Sequence, residues 1–205
     1  MDSELIEEIC YEIQLLLKTG FYNDEEIVEI IDDEFIEENL RKNQILKLFE
    51  ETKSGFDTLS EDSEDLLRLK ESFINLSKNH KIISIHNAGY DIEEGIQDAF
   101  ELYTHLRNNK YEVDGFCFYS FEDIEFALDE NILNIAFGDF EYDEKKALDI
   151  GKRVADELKS NGFKIRWDET VDERIEIMDF NWQKVYEERE YSMDGALEDY
   201  IKLNE

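Results

Sequence analysis

The sequence predicts an α/β fold, with a helical N-terminal region followed by a mixed, mainly parallel sheet in β-α-β-α-β-α-β-β order. Two observations carry this reading. In the first third, apolar residues recur at three- and four-residue spacing, the period of an amphipathic helix. From 81 to 180, short β-branched and aromatic runs alternate with helix-period stretches, the pattern of strands joined by crossovers.

The first helix is marked by Leu5, Ile6, Ile9, Ile13, Leu16 and Leu17 on one face, and Gly20 is a fitting stop because glycine accepts the left-handed conformation. Asn23 and Glu26 form a capping box that opens a second helix, with Ile27, Ile30, Ile31 and Phe35 as its stripe. A third helix carries Leu40, Ile45, Leu48 and Phe49. The stretch ETKSGFDTLSEDSED, rich in glycine, serine and acids, reads as a linker. A helix with Leu66, Leu69, Phe73 and Leu76 on one side follows it. The chain contains no proline, so glycines and polar caps are its punctuation.

KIISIH reads as the first strand, and DIEEGIQDAFELYTHLRNN as a helix that Gly95 weakens. GFCFY is the second strand. Ser120 caps the short helix FEDIEFALD, with Asp123 in its first turn where the helix dipole favours an acid. ILNIAFG is the third strand, DEKKALDIGKRVADELKSNG the most regular helix, with Gly162 just past its end, and FKIRW the fourth strand. RIEIMDF pairs back on it as an antiparallel edge. The implied organisation is a helical region over 1–52, a linker over 53–65, an α/β domain with its leading helix over 66–190, and a C-terminal tail over 191–205 that contains a last helix.

The formal net charge is −32, of which residues 1–80 carry −14 and residues 81–205 carry −18. Such a field repels nucleic acid and anionic lipid and attracts basic proteins. Uniform acidity also serves solubility without any partner. No apolar run approaches the length of a bilayer span, and the acidic start MDSELIEEIC is unlike a signal peptide, so a cytoplasmic location is expected. Cys10 and Cys117, each among apolar neighbours, are expected to be free thiols.

Parallel strands would gather their C-terminal ends on one rim, where open α/β sheets bind ligands. The residues at those ends are His86 and Asn87, Tyr119 and Ser120, Gly138 and Asp139, and Trp167 and Asp168. His86, Asn87, Asp139 and Asp168 are the catalytic candidates, as a general base with an orienting acid or as a loose set of oxygen ligands for a cation. Tyr119, Ser120 and Trp167 are binding candidates, and Trp182 is a candidate anchor for a partner. Turns select the same residue types without any function. There is no GxGxxG, P-loop, HExxH, GxSxG or paired CxxC, and DFEYDE lacks the glycine and terminal glutamate of a calcium loop. No cofactor or metal is therefore expected.

The pieces HNAGY (His86 to Tyr90), GFCFY (Gly115 to Tyr119), IAFG (Ile135, then Ala136 to Gly138) and GF with WD (Gly162-Phe163 and Trp167-Asp168) resemble an uncharacterised bacterial domain-of-unknown-function family. Ser72-Phe73, Arg174-Ile175 and Trp182 extend the resemblance, as does the stretch LLLKTGFYNDEEIVEII near the start. The resemblance implies the domain layout and a bacterial setting, and it brings no activity, cofactor or catalytic residue.

Two readings of function follow. One is an acidic protein-binding module, inhibitor or immunity-like, for a basic partner, with no direct nucleic-acid or membrane binding. The other is a small hydrolase or ligand-binding enzyme that uses the strand-end rim, with His86 as base and Asp168 or Asp139 beside it. Whether the protein is an enzyme, and its oligomeric state, stay open at this point.

Overall fold

A computed structural model describes residues 3–38, 40–56 and 59–205; residues 57 and 58 of the expected linker lie outside the described residues. The chain divides into two units, Met1–Ser63 with Gln183–Glu188, and Glu64–Trp182 with Arg189–Glu205.

The first unit is helical. Helix α1 (Ser3–Thr19) buries Ile9, Ile13 and Leu16, α2 (Asp24–Glu34) buries Ile27, Val28 and Ile31, and α3 (Lys42–Lys53) buries Ile45, Leu48 and Phe49. A 3₁₀ turn, Ile36–Glu38, follows α2. The expected capping box is formed: Asn23 Oδ1 accepts from the backbone N–H groups of Glu25 and Glu26, both at 2.9 Å, and Glu26 Oε2 accepts from Asn23 N at 2.7 Å. These bonds satisfy N–H groups that a helix start otherwise leaves open. Gly20 is left-handed, at φ +70°. A Cβ there would lie 2.3 Å from the carbonyl oxygen of Lys184. The buried Lys184 ammonium donates to Gly20 O at 3.0 Å and to Val185 O at 3.2 Å, so the returning segment 183–188 is tied to the end of α1.

The second unit is α/β. Its elements are α4 (Glu64–His80), β1 (Ile82–Ile85), α5 (Ile92–Asn108), β2 (Gly115–Phe118), α6 (Phe121–Glu130), β3 (Ile132–Gly138), α7 (Glu144–Ser160), β4 (Lys164–Arg166), β5 (Ile175–Met178) and α8 (Met193–Asn204). Every strand and helix read from the sequence is present, including the last helix. The sheet is mixed, in the order β1-β2-β3-β5-β4.

The sense of the strands differs from the mainly parallel expectation. Only β1 and β2 pair in parallel; β2 with β3, β3 with β5, and β4 with β5 are antiparallel. The reason lies in the connections. The long helix α5 spans a crossover, so β2 enters beside β1 in the same sense. The link from Ser120 to Asn131 is at the lower limit for a crossover. Here the chain returns through Asn131 in the left-handed conformation, φ 56°, and β3 runs back along β2. Helix α7 then joins β3 to β4, which share a direction, and the hairpin inserts β5 between them.

Alternation along the strands builds two apolar layers. Ile83, Ile85, Phe116 and Phe118 pack with Ala99, Leu102 and Leu106 of α5 and with Ala196 and Tyr200 of α8. On the opposite face α4 covers β1, and Ile150 of α7 lies against Gly115. Gly95, whose effect on helix propensity is unfavourable, has a packing role: a Cβ there would fall 2.3 Å from the Phe118 ring.

Gly95→Ala tests this close approach. Helix propensity alone would make it stabilising by about 0.5–1 kcal/mol. Overpacking against Phe118 should instead cost about 1–3 kcal/mol. The urea midpoint decides, because the two effects have opposite signs.

Candidate functional site

The parallel pair β1–β2 places two strand ends side by side, and the loops that leave them are stitched together. Ala88 N donates to Tyr119 O at 2.9 Å, Phe121 N to Gly89 O at 3.1 Å, and Glu122 N to Tyr90 O at 3.0 Å. Asn87 and Gly89 take left-handed conformations, φ 56° and 61°, which fold the corner tightly enough for this pairing. Tyr90 stacks on Phe121 at a ring distance of 5.7 Å, and Asp91 caps α5 through Glu93 N and Glu94 N. Each residue of HNAGYD thus has a place in a double corner.

His86 and Tyr119 point to the α4 side of the sheet. His86 Nδ1 is 3.0 Å from Tyr119 Oη. The imidazole packs on Phe73 of α4 at 4.6 Å and edge-on to Tyr191 at 5.8 Å. Lys70 and Arg189 lie over the Tyr191 ring, at 5.2 and 5.1 Å. Asn87 Oδ1 is a buried acceptor with no hydrogen-bond partner among the described residues. One strand over, Cys117 is free and fully buried, and burial pushes its thiol up to about 12, so it stays protonated and is not a nucleophile at neutral pH.

Ser120 and Asp123 form a second cluster on the same corner. Asp123, 2% exposed, accepts from Ser120 N and Ser120 Oγ, both at 3.0 Å, through one oxygen. Its other oxygen takes a 2.6 Å bond from Arg174, just ahead of β5. Both carboxylate oxygens are engaged within the fold.

The other two corners lie elsewhere. Gly138 is in register with Phe116, towards the start of β2, so Asp139 leaves the sheet at the margin away from Tyr119. Asp139 accepts from the backbone N–H groups of Glu141 and Asp143, which closes its own loop ahead of α7. Trp167 and Asp168 follow β4, the strand at the far edge of the sheet from β1. Four inter-strand spacings of about 4.8 Å put Asp168 about 19 Å across the sheet from His86. Asp168 Oδ1 accepts from Thr170 N and Oγ1, and Trp167 Nε1 donates to Thr170 O. The single rim expected from parallel strands is therefore not formed. His86, Asn87, Tyr119 and Ser120 come together; Asp139 and Asp168 do not join them or each other. Trp182 is buried against Tyr119 and Phe180, not exposed as an anchor would be.

The first unit presents a different surface. Asp24, Glu25, Glu26, Glu29, Asp32 and Asp33 are exposed on α2. The carboxyl of Glu34 is held above its ordinary range, first by partial burial and then by the charge of Glu8.

Sequence reasoning missed Tyr191 as a neighbour of His86 and Arg174 as the partner of Asp123. Tyr191 lies in a stretch without periodicity. Asp123 was placed by its helix position, which gives no sign of a partner 51 residues away.

A helical N-terminal unit and a mixed α/β unit with a closed double corner define the class of protein. The chain belongs to the family described as Domain of unknown function (DUF6891), whose model matches residues 2–186. Comparison with curated proteins and with solved structures gives no match.

Breaking the Asp123 cluster should destabilise the sheet without touching any surface function. Asp123→Asn and Arg174→Leu should each cost about 1–3 kcal/mol, below the range for a fully buried pair because Arg174 is partly exposed. The double variant should cost less than their sum, as read from urea midpoints. Glu34→Gln should act oppositely. A carboxyl whose folded pKa is raised loses its proton first in the unfolded chain, so it penalises the fold at neutral pH. The amide should raise the melting temperature at pH 7 by about 1–2 °C. The gain should vanish as pH falls below the ordinary value of 4.5, in parallel melts of both proteins.

Proposed function

We infer that this chain is an acidic protein-binding module of the bacterial cytoplasm, an inhibitor or immunity-like protein for a basic partner. The observation that supports it is the charge of the first unit. Residues 1–63 hold 19 acids and 5 bases, a net of −14, while the 142 residues that follow hold only −18. Much of that charge lies on the exposed side of α2. A dense one-sign surface accelerates encounter with an oppositely charged protein and rejects like-charged ones. A partner that normally grips an anionic substrate is a special case, since this surface would occupy its basic face.

The hydrolase reading loses support on geometry. It needed Asp139 or Asp168 beside His86, and both acids are turned into their own loops away from it. What stands next to His86 is a buried tyrosine hydroxyl.

Affinity capture with the full chain from a bacterial lysate tests the proposal, at about 50 mM and about 500 mM salt, because surface electrostatics is screened between these limits. The expected partners are basic proteins that bind at low salt and leave at high salt. Recovery of neutral partners alone, with the same yield at both salts, would falsify it.

A further inference from the structure

The geometry points to the groove between α2 and α3 as the docking site, with a basic amphipathic helix of the partner as its occupant. This inference rests on the reading of the protein as a binder of basic partners, and it names where and by what chemistry. The groove has a volume of about 490 Å³, within the range of about 300–1,000 Å³ typical of sites that receive a ligand. Its floor is the exposed Leu46 of α3, with the outer edges of the buried Val28 and Phe49 beside it. Leu46 is 41% exposed and stands outside the stripe of Ile45, Leu48 and Phe49 that packs inward. Its rim is acidic: Asp24, Glu25 and Glu29 on one side and Glu50 on the other, with Lys42 as the one base of the lining.

The groove displays its own preference. Lys53, at the end of α3, lays its ammonium 5.6 Å from the centroid of the Phe49 ring and pairs it with Asp24. A lysine with its stem on the apolar floor and its charge on the acidic rim is therefore already accommodated once. A second hollow of about 380 Å³ continues the surface beyond Asp24 and Glu25, and is lined by Tyr22, Asn23 and Tyr186. Aromatic side chains at such a margin are suited to hold a partner. An apolar floor between acidic walls matches a helix whose apolar face is flanked by Lys or Arg, the helix-in-groove mode of recognition. A purely cationic coil would satisfy the walls and leave the floor wet. An uncharged apolar helix would satisfy the floor and leave the walls repelling one another.

The experiment uses the full chain and two defined probes, a helical peptide of leucine and lysine with one apolar face, and polylysine as the charge-only control. Affinities are measured by fluorescence anisotropy. The amphipathic peptide should bind more tightly than polylysine of equal charge. Leu46→Asp should weaken the peptide by about tenfold or more, as loss of a central apolar contact does, and leave polylysine unweakened in comparison. Leu46→Ala, the milder change, should act in the same direction. Glu29→Lys with Glu50→Lys should weaken the peptide by about tenfold, while Glu4→Lys with Glu7→Lys on α1, the same change in net charge, should weaken it by less than about threefold. Circular dichroism confirms that each variant keeps its helices. Equal losses in the two charge pairs, or an unchanged affinity in Leu46→Asp, overturn the groove and leave the basic-partner reading standing. Failure of both probes to bind overturns the two together.

Discussion

The second unit depends on where one carboxylate is held. Asp123 closes the start of α6 directly on the end of β2 and receives the guanidinium that precedes β5. A buried carboxylate is tolerable only when its oxygens are bonded, and here both are. Its position leaves ten helical residues to bring the chain back, so β3 returns beside β2 in the opposite sense. Arg174 then brings β5 to the other flank of β3 at the level where β2 ends: Phe118 is opposite Ala136, and Ile175 opposite Ile135. The seven residues of β3 thus serve two partners in succession. One ion pair couples the two halves of the sheet across that step.

This arrangement explains what could be read from the chain and what could not. Elements were legible because their signals are local. Asn23 with Glu26, Gly20, Gly162 and the stripes of α1 to α5 need only neighbours within a few residues. The sense of strand pairing is not local. A link of this length lies on the boundary between a tight crossover and a return, and its Asp123 is bonded by a side chain from beyond β4. The same holds for Gly95, which reads as a helix defect until Phe118 is placed against it. The candidate residues fared according to the same rule. His86, Asn87, Tyr119 and Ser120 meet because β1 and β2 are parallel. Asp139 and Asp168 stand apart because β3 and β4 run the other way. Trp182 lies beyond the last strand, and its ring turns inward on Tyr119, a contact its place in the chain does not reveal.

The HNAGY corner raises the question of why so polar a segment should be so closely built. Its backbone donors and acceptors are taken up by the neighbouring loop, its asparagine and glycine supply the left-handed turns, and its histidine is held against three aromatic rings. These are the requirements of two chain reversals side by side, where the backbone groups of one loop are met by those of the other. Motif-like appearance here follows from architecture. Asp91 and Asp123, the acids at this corner, are bonded within the fold, to the start of α5 and to Ser120 and Arg174.

Like charges crowd one another in both units, and residues 1–63 carry net charge at the higher density. In the second unit Asp98 and Glu125 are held above the ordinary carboxylate range, first by partial burial and then by neighbouring acids. On α1 and α2 the acids stand in rows, and Glu34 is pushed towards its neutral form first by partial burial and then by the charge of Glu8. Holding the Glu34 carboxyl partly buried and near Glu8 costs stability at neutral pH. Under the proposal above, a basic partner would lower that cost on binding, because each ammonium or guanidinium that enters would relieve repulsion as well as add its own attraction. Solubility alone would be served as well by charges spread evenly over the surface. Acids along the margins of a groove, one of them pairing a lysine that lies over a phenylalanine, are the features that the proposed docking mode would use.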